Sequence, residues 1–330
     1  MALADLPFVP IRNALYQSHE LTKGFVVDDP ESYVQTLDFQ IYRYFVRSGG
    51  ATPADPLASM MEALHDNCIS QAAAAMLRKP MPVAAIMGGH KLARGSLAYR
   101  QVVAIARGLT REGFLTASGG GPGAMEATHL GALLSKSSDA AVEDSIARLA
   151  SEQTAKLPMT EELVHADGTI DQQKARALHA WYRPAIEIRD ATLDPGASLA
   201  IPTWHYGHEP FSPLATHVAK YFQNSIREDG LLALALDGIV YVEGRAGTIQ
   251  EIFQDGAQNY YKSFGKRFSP MVFLGEEFWT RTYPVRALLE ALFKNNGKAE
   301  EFERYVLFTD DVSKVIGFLT QHASAKRVTQ

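Results

Sequence analysis

Two hydrophobic periods divide the chain. Over residues 1 to about 80 the apolar positions recur at helical spacing, and Tyr33, Leu37, Ile41, Tyr44 and Phe45 form one stripe that Gly49-Gly50 and Pro53 close. Asp55-Pro56 opens a second helical segment, Leu57 to Leu77. An aromatic stripe at this spacing reads as core packing. Lys79-Pro80 and Pro82 mark a boundary, so residues 1–80 form a helical N-terminal extension.

From Val83 the pattern becomes one of short, unbroken apolar runs, as expected of strands buried on both faces. Val83–Met87, Phe114–Ala117, Leu199–Ile201, Gly238–Val242 and Met271–Leu274 predict neighbouring parallel strands, and Tyr305–Phe308 another. Between the first two, Ser96 caps a helix whose apolar face is Tyr99, Val102, Val103, Ala106 and Leu109, with Gly113 just past its end. Further helices are expected over Met125–Leu134, Leu214–Ala235 and Ile249–Tyr261, with a last one from about Asp311. Strand, helix, strand, helix implies right-handed βαβ crossovers. The expected fold is α/β: a Rossmann-like, doubly wound parallel sheet over residues 81–330 behind the helical extension.

Residues of about 135–197 interrupt this alternation. They are polar, with helical patches broken at Pro158, Asp167-Gly168, Pro184 and Pro195-Gly196, and read as an insertion or an elaborated crossover. Trp181-Tyr182-Arg183 reads either as part of a lid or as a packed helix end.

Composition narrows the class. The 330 residues are 46% hydrophobic and 21% charged, an ordinary globular balance. A net charge of −5 argues against nucleic acid as the main partner. A single cysteine, Cys68, excludes an intramolecular disulfide and suits a reducing cytoplasm. The first residues lack the basic and apolar regions of a signal peptide. Leu231–Val242, the most apolar segment, is too short to cross a bilayer, so no membrane partner is expected. The loop at 202–210 carries His205, His208 and Glu209, yet their spacing matches no zinc signature and no metal is expected.

The chemistry gathers at glycine turns that follow strands. The first, Gly88-Gly89-His90, lets a backbone meet a ligand. The second, Ser118-Gly119-Gly120-Gly121-Pro122-Gly123-Ala124, leads into a helix, whose unpaired N–H groups and dipole attract a phosphate. Gly119, Gly121 and Ala124 fit G-x-G-x-x-A, but a dinucleotide fold places that pattern after the first strand and wants an acidic residue about 20 positions on, at a strand end. Asp139, the nearest candidate, stands in a polar stretch, so NAD is rejected. The third turn, Glu243-Gly244-Arg245-Ala246-Gly247-Thr248-Ile249-Gln250-Glu251, again joins a buried strand to a helix.

Together these last two turns resemble the LOG family, the nucleoside 5′-monophosphate phosphoribohydrolases often mislabelled as lysine decarboxylases. The family carries a G-G-G-x-x-G-like loop and, later, P-G-G-x-G-T-x-x-E. The resemblance covers about Val83–Leu134 and Ala219–Leu274, and leaves out the extension and the insertion. Gly244, Gly247, Thr248 and Glu251 are in register, whereas Glu243 replaces the family's proline and Arg245 its second glycine. Arg245 either adds a phosphate ligand or blocks the usual approach. The family's arginine has its counterpart in Arg227, one residue out of register.

The resemblance implies hydrolysis of the N-glycosidic bond of a nucleoside 5′-monophosphate, without a metal or redox cofactor, by a homodimer paired through helices beside the site. Gly88, Gly89, Gly119, Gly120, Gly121, Gly123, Gly244, Arg245, Gly247 and Thr248 would line the phosphate and substrate, with Arg227 holding the anion. Glu251 would stabilise an oxocarbenium-like state or activate water. The residues alone favour plainer roles. Thr248-x-x-Glu251 has the form of a capping box, Arg227 of a surface ion pair and Glu126 of a first-turn acid. Decarboxylation through pyridoxal phosphate would need a Schiff-base lysine, and neither turn has one. A nucleotide-sensing protein that binds without turnover is the alternative.

Overall fold

A computed structural model describes residues 6–78, 81–151, 163–165, 167–205, 210–264 and 266–324. Seven strands build one sheet: β1 (Val83–Met87), β2 (Leu115–Ser118), β3 (Ser198–Ala200), β4 (His217–Val218), β5 (Ile239–Tyr241), β6 (Met271–Leu274) and β7 (Val306–Thr309). Their order is β4-β3-β2-β1-β5-β6-β7, and every neighbouring pair is parallel. Strand order therefore reverses at β1. In open α/β sheets the crevice beyond the carboxyl ends of the strands at such a switch point is where ligands bind.

Alternation within β1 shows why its apolar run is unbroken. Val83, Ala85 and Met87 enter one core, and Ala84 and Ile86 the other. The second core is closed by α4 (Leu97–Arg111), α5 (Ala124–Leu133), α6 (Asp139–Ser151) and α12 (Val312–Ser324). On the first face lie α2 (Leu37–Ser48), α3 (Pro56–Met76), α7 (Gln172–Ala191), α8 (Asn224–Leu234), α9 (Ala246–Tyr261) and α10 (Val285–Lys294). Two short helices, α1 (Ser18–Leu21) and α11 (Ala299–Tyr305), complete the set. The fold is a doubly wound, Rossmann-like α/β sheet. No helix among the described residues is long and apolar enough to cross a membrane.

The helices before β1 share the first core with the sheet: Phe8, Tyr16, Phe39, Phe45 and Ile69 cluster with Met87, Leu199 and Phe222. The cap on α4 is as expected, with Ser96 Oγ accepting from Tyr99 N at 3.2 Å. Three local expectations fail. Tyr33 belongs to a separate 3-10 helix, Pro30–Gln35, because extended Thr36 (φ −63°, ψ 145°) breaks the stripe and caps α2 instead. The helix expected from Leu214 begins only at Asn224, since His217–Val218 adds to the edge of β3. Pro184 is no break, and lies inside α7.

Trp181 and Tyr182 are buried against the sheet side of α7, which removes the lid reading. Arg183 points outward and pairs with Glu187 at 3.2 Å. Of the expected breaks, Pro158 lies outside the described residues.

Candidate functional site

Three turns meet at the carboxyl ends of β2, β1 and β5. Gly88-Gly89, after β1, is the joint between the other two. Gly89 N donates to Glu243 O at 2.9 Å, and Gly89 O accepts from Ala124 N at 3.3 Å. A Cβ on Gly88 would sit 2.1 Å from Val242 Cγ2, so only glycine lets β1 and β5 close this tightly. Gly123 has φ +70° and ψ −125°, and a Cβ there would lie 2.5 Å from Gly89 O. The first of these contacts joins β1 to β5, and the second joins it to the α5 turn.

The turn after β2 is sealed. Arg227 Nη2 and Met125 Sδ lie over Gly119, at 2.7 and 2.8 Å from where its Cβ would be. Gly121 N donates to Met125 Sδ at 3.4 Å, and Gly120 O accepts from Ser212 N at 2.6 Å. Beneath it runs a buried relay in which Ser118 Oγ accepts from Gly120 N (3.1 Å) and meets His129 Nε2 (2.8 Å), while His129 Nδ1 meets Ser198 Oγ (3.0 Å). Burial drives His129 down to about 3, so it is a neutral spacer at physiological pH. Residues Ser118, His129 and Ser198 carry no sequence signal, since the relay exists only once α5 lies across β2 and β3.

The turn after β5 is open. Gly244 packs onto Thr248, and an added Cβ would be 2.2 Å from Thr248 Oγ1 and 2.5 Å from Thr248 Cβ. Gly247 has nothing within 4 Å of its would-be Cβ. The N-cap of α9 is Arg245, and no side chain caps the helix there. Ala246 and Gly247 in the first turn are exposed and Thr248 is buried beside them, and uncapped first-turn N–H groups of this kind are able to receive an anion. Arg245 itself is exposed and makes no ion pair among the described residues, so it stands beside the opening without closing it.

This start of α9 also corrects the capping box. Thr248 is the third helical residue and Glu251 the sixth, too deep for either to cap the other. Glu251 is half-buried and belongs to a different arrangement. Burial pushes its carboxyl up to about 7, Arg227 opposing the rise and Glu228 adding to it. Arg227 does pair with a nearby acid, its Nη1 lying 4.0 Å from Glu228 Oε1, but at 12% and 22% exposure the pair is not a solvated surface one, and Arg227 Nε donates to Ile201 O at 3.3 Å. Glu228 ties the two helices together, accepting from Asn224 Nδ2 at 2.8 Å and from Gln250 Nε2 at 3.1 Å. Glu228 was not evident from the sequence, because its role depends on how α8 meets α9.

Glu126 has neither a ligand role nor a merely local one. It is fully buried, receives Arg94 Nε at 2.8 Å, Arg94 Nη2 at 2.5 Å and Tyr99 Oη at 3.0 Å, and Arg94 stacks 3.9 Å over Trp181. This pair ties the first turn of α5 to α7. Among the described residues no group of three His, Cys, Asp or Glu comes together as a metal site, and His208 and Glu209 lie outside them.

The contrast between Gly244 and Gly247 gives a direct check of the turn. Thr248 Cβ is fixed by the helix backbone and cannot rotate away, so Gly244→Ala is expected to lose about 1–3 kcal/mol in urea unfolding. Gly247→Ala is expected to stay within about 0.5 kcal/mol of wild type. Equal losses at the two positions would contradict this geometry. No protein-family model and no curated protein matches the chain.

Proposed function

We propose that the protein hydrolyses the N-glycosidic bond of a nucleoside 5′-monophosphate, releasing free base and ribose 5-phosphate. One observation carries the reading: Glu251, a carboxyl that burial raises to about 7 and that feels the charge of Arg227, stands on the helix whose open N-terminus lies at the sheet's switch point. Gly247 and Glu251 are four residues apart, on one face of α9 and about 6 Å along its axis. A phosphate held by the Gly247–Thr248 amides and Arg227 would therefore extend its ribose along α9 toward Glu251. The resemblance of the two glycine turns to the LOG family supports the same chemistry.

In this scheme the C1′–N bond breaks as the ring oxygen shares the positive charge. Water bonds to C1′ and gives its proton to ionised Glu251, while the leaving base takes up a proton. Arg227 lies over Gly119, and its displacement by substrate phosphate would open the second glycine turn as well. A homodimer and a cytoplasmic location complete the proposal, the single cysteine supporting the latter.

Because the base must be ionised, kcat/KM should rise with pH and level off above about 7. Arg227 lowers the Glu251 pKa, so Arg227→Gln should move that inflection to higher pH. A flat profile between pH 5 and 9 would remove Glu251 as the base. The function itself is tested by incubating purified protein with AMP, CMP, GMP, IMP and UMP and following free base. Saturable binding with no base released from any of them selects the alternative, a nucleotide sensor, to which exposed Arg245 at the opening would be suited.

A further inference from the structure

The helix that carries Arg227 is poorly secured by its own sequence. α8 has 11 residues, a length marginal for an isolated helix. Gly230 stands in its middle, and the side chain of Gln223, its N-cap, makes no capping bond. Of its residues only Leu231 and Leu232 are buried, both in its second half. The first turns, which hold Arg227 and Glu228, therefore depend on polar contacts for their place.

One of those contacts comes from the residues before β1. Asp66, on α3, is fully buried. Its Oδ1 accepts from Phe222 N at 3.0 Å, and its Oδ2 accepts from Phe222 N at 3.1 Å and from Gln223 N at 2.9 Å. These are the last two backbone N–H groups before α8, so a carboxyl from another helix stands where the missing cap would. An acid in that place also faces the positive end of the α8 dipole.

Asp66 is itself fixed from behind. Its Oδ1 meets His65 Nδ1 at 3.0 Å, and His65 Nε2 meets Tyr16 Oη at 2.9 Å. Burial raises the Tyr16 hydroxyl well above its usual range, so it stays protonated and donates, which leaves Nδ1 as the donor to Asp66 in the neutral ring. Tyr16 in turn exchanges backbone bonds with Val218 of β4, at 3.0 and 2.8 Å. The line Tyr16–His65–Asp66 thus runs from the edge of the sheet to the start of α8. Asp38 pins the middle of the same connection through Lys220 at 2.8 Å, and Asp66 pins its end.

Four residues, about 6 Å along the helix axis, separate Gln223 from Arg227. The direction given to α8 at Gln223 therefore decides where the guanidinium arrives. Arg227 Nη2 lies 2.7 Å from where a Gly119 Cβ would be, and its Nε donates to Ile201 O at 3.3 Å. We infer that Asp66 is a positioning residue of the site: it holds the start of α8 so that Arg227 stays across Gly119. The inference rests on the nucleotide reading above for the use of Arg227, and it gives the stretch before β1 a part in a site built by the sheet.

Two measurements on the full chain test it without turnover. The first is the NMR signal of the Arg227 Nε–H group, assigned by its loss in Arg227→Gln. The second is the affinity for ribose 5-phosphate by calorimetry. In folded Asp66→Ala the Arg227 signal is expected to lose its protection from exchange. Ribose 5-phosphate should bind about tenfold more weakly, the loss typical of one hydrogen bond to a charged group. Arg227→Gln should show a similar loss, and the double variant no more than either. Asp66→Asn keeps one acceptor oxygen and should fall between wild type and Asp66→Ala; it is read by the same criteria should the alanine variant not fold. A cap that only stabilised the fold would lower the melting temperature and leave both measurements as in wild type. That result, or losses that multiply in the double variant, would overturn the inference. Ribose 5-phosphate that fails to bind wild type counts against the nucleotide reading instead, and the Arg227 signal then decides for or against Asp66.

Discussion

Glu251→Gln is expected to fold like wild type, bind nucleotide with near-normal affinity, and release base at least a hundredfold more slowly. Removing a charge that opposes an oxocarbenium ion costs on the order of 3 kcal/mol of barrier. The stability forecast follows from the raised carboxyl. A carboxyl whose folded pKa lies above its unfolded value favours the native state at low pH. It withdraws that support as pH rises from the unfolded value to about 7. At pH 8, where ionised Glu251 is a burden on the fold, the glutamine variant should melt at the same temperature as wild type or higher. The capping role that Thr248-x-x-Glu251 suggests is absent, since α9 starts at Ala246 with Arg245 at its N-cap. Turnover within twofold of wild type would take Glu251 out of the chemistry.

The largest loss of stability is expected at Arg94→Ala. It strips the partner from Glu126, which is wholly buried, and removes the guanidinium from Trp181 and from the Leu149 and Trp181 carbonyls. An uncompensated buried carboxylate of this kind typically costs about 3–5 kcal/mol. Urea unfolding measures the loss. The pair Arg94→Met with Glu126→Leu should regain much of it, because two apolar side chains bury no unpaired charge. A single-variant loss below about 1 kcal/mol would mean the pair is not holding α5 to α7. That link matters to the site, since α5 begins at Gly123, against Gly89.

What was legible in the sequence was whatever is set by local pattern. Val83–Met87 read as a strand buried on both faces because five successive apolar residues have no helical explanation once Pro80, Pro82 and Gly88 bracket them. The helix after Ser96 was equally clear, from its cap and its single apolar face. Positions decided by distant contacts were not. Two residues, His217–Val218, carry too little pattern to mark a strand, and they form one because β3 offers them an edge.

At the site the same division holds. The glycine turns and Glu251 were visible as motifs, but which turn is open was not. Gly119 is covered because α8 brings Arg227 across it, and Gly247 is exposed because nothing packs over the start of α9. The capping box was misread for a related reason. Gly244, lacking a side chain, lets Thr248 fold in beneath the turn, so the helix begins two residues before the threonine.

The most direct test is a product analysis of one reaction by 1H and 31P NMR, with wild-type protein and the nucleotide that it turns over best. The expected products are free base and ribose 5-phosphate in equal amounts, the phosphorus still esterified at the 5′ oxygen, and neither formed by Glu251→Gln. Inorganic phosphate with intact nucleoside, or nucleotide recovered unchanged from every candidate, would contradict the assignment.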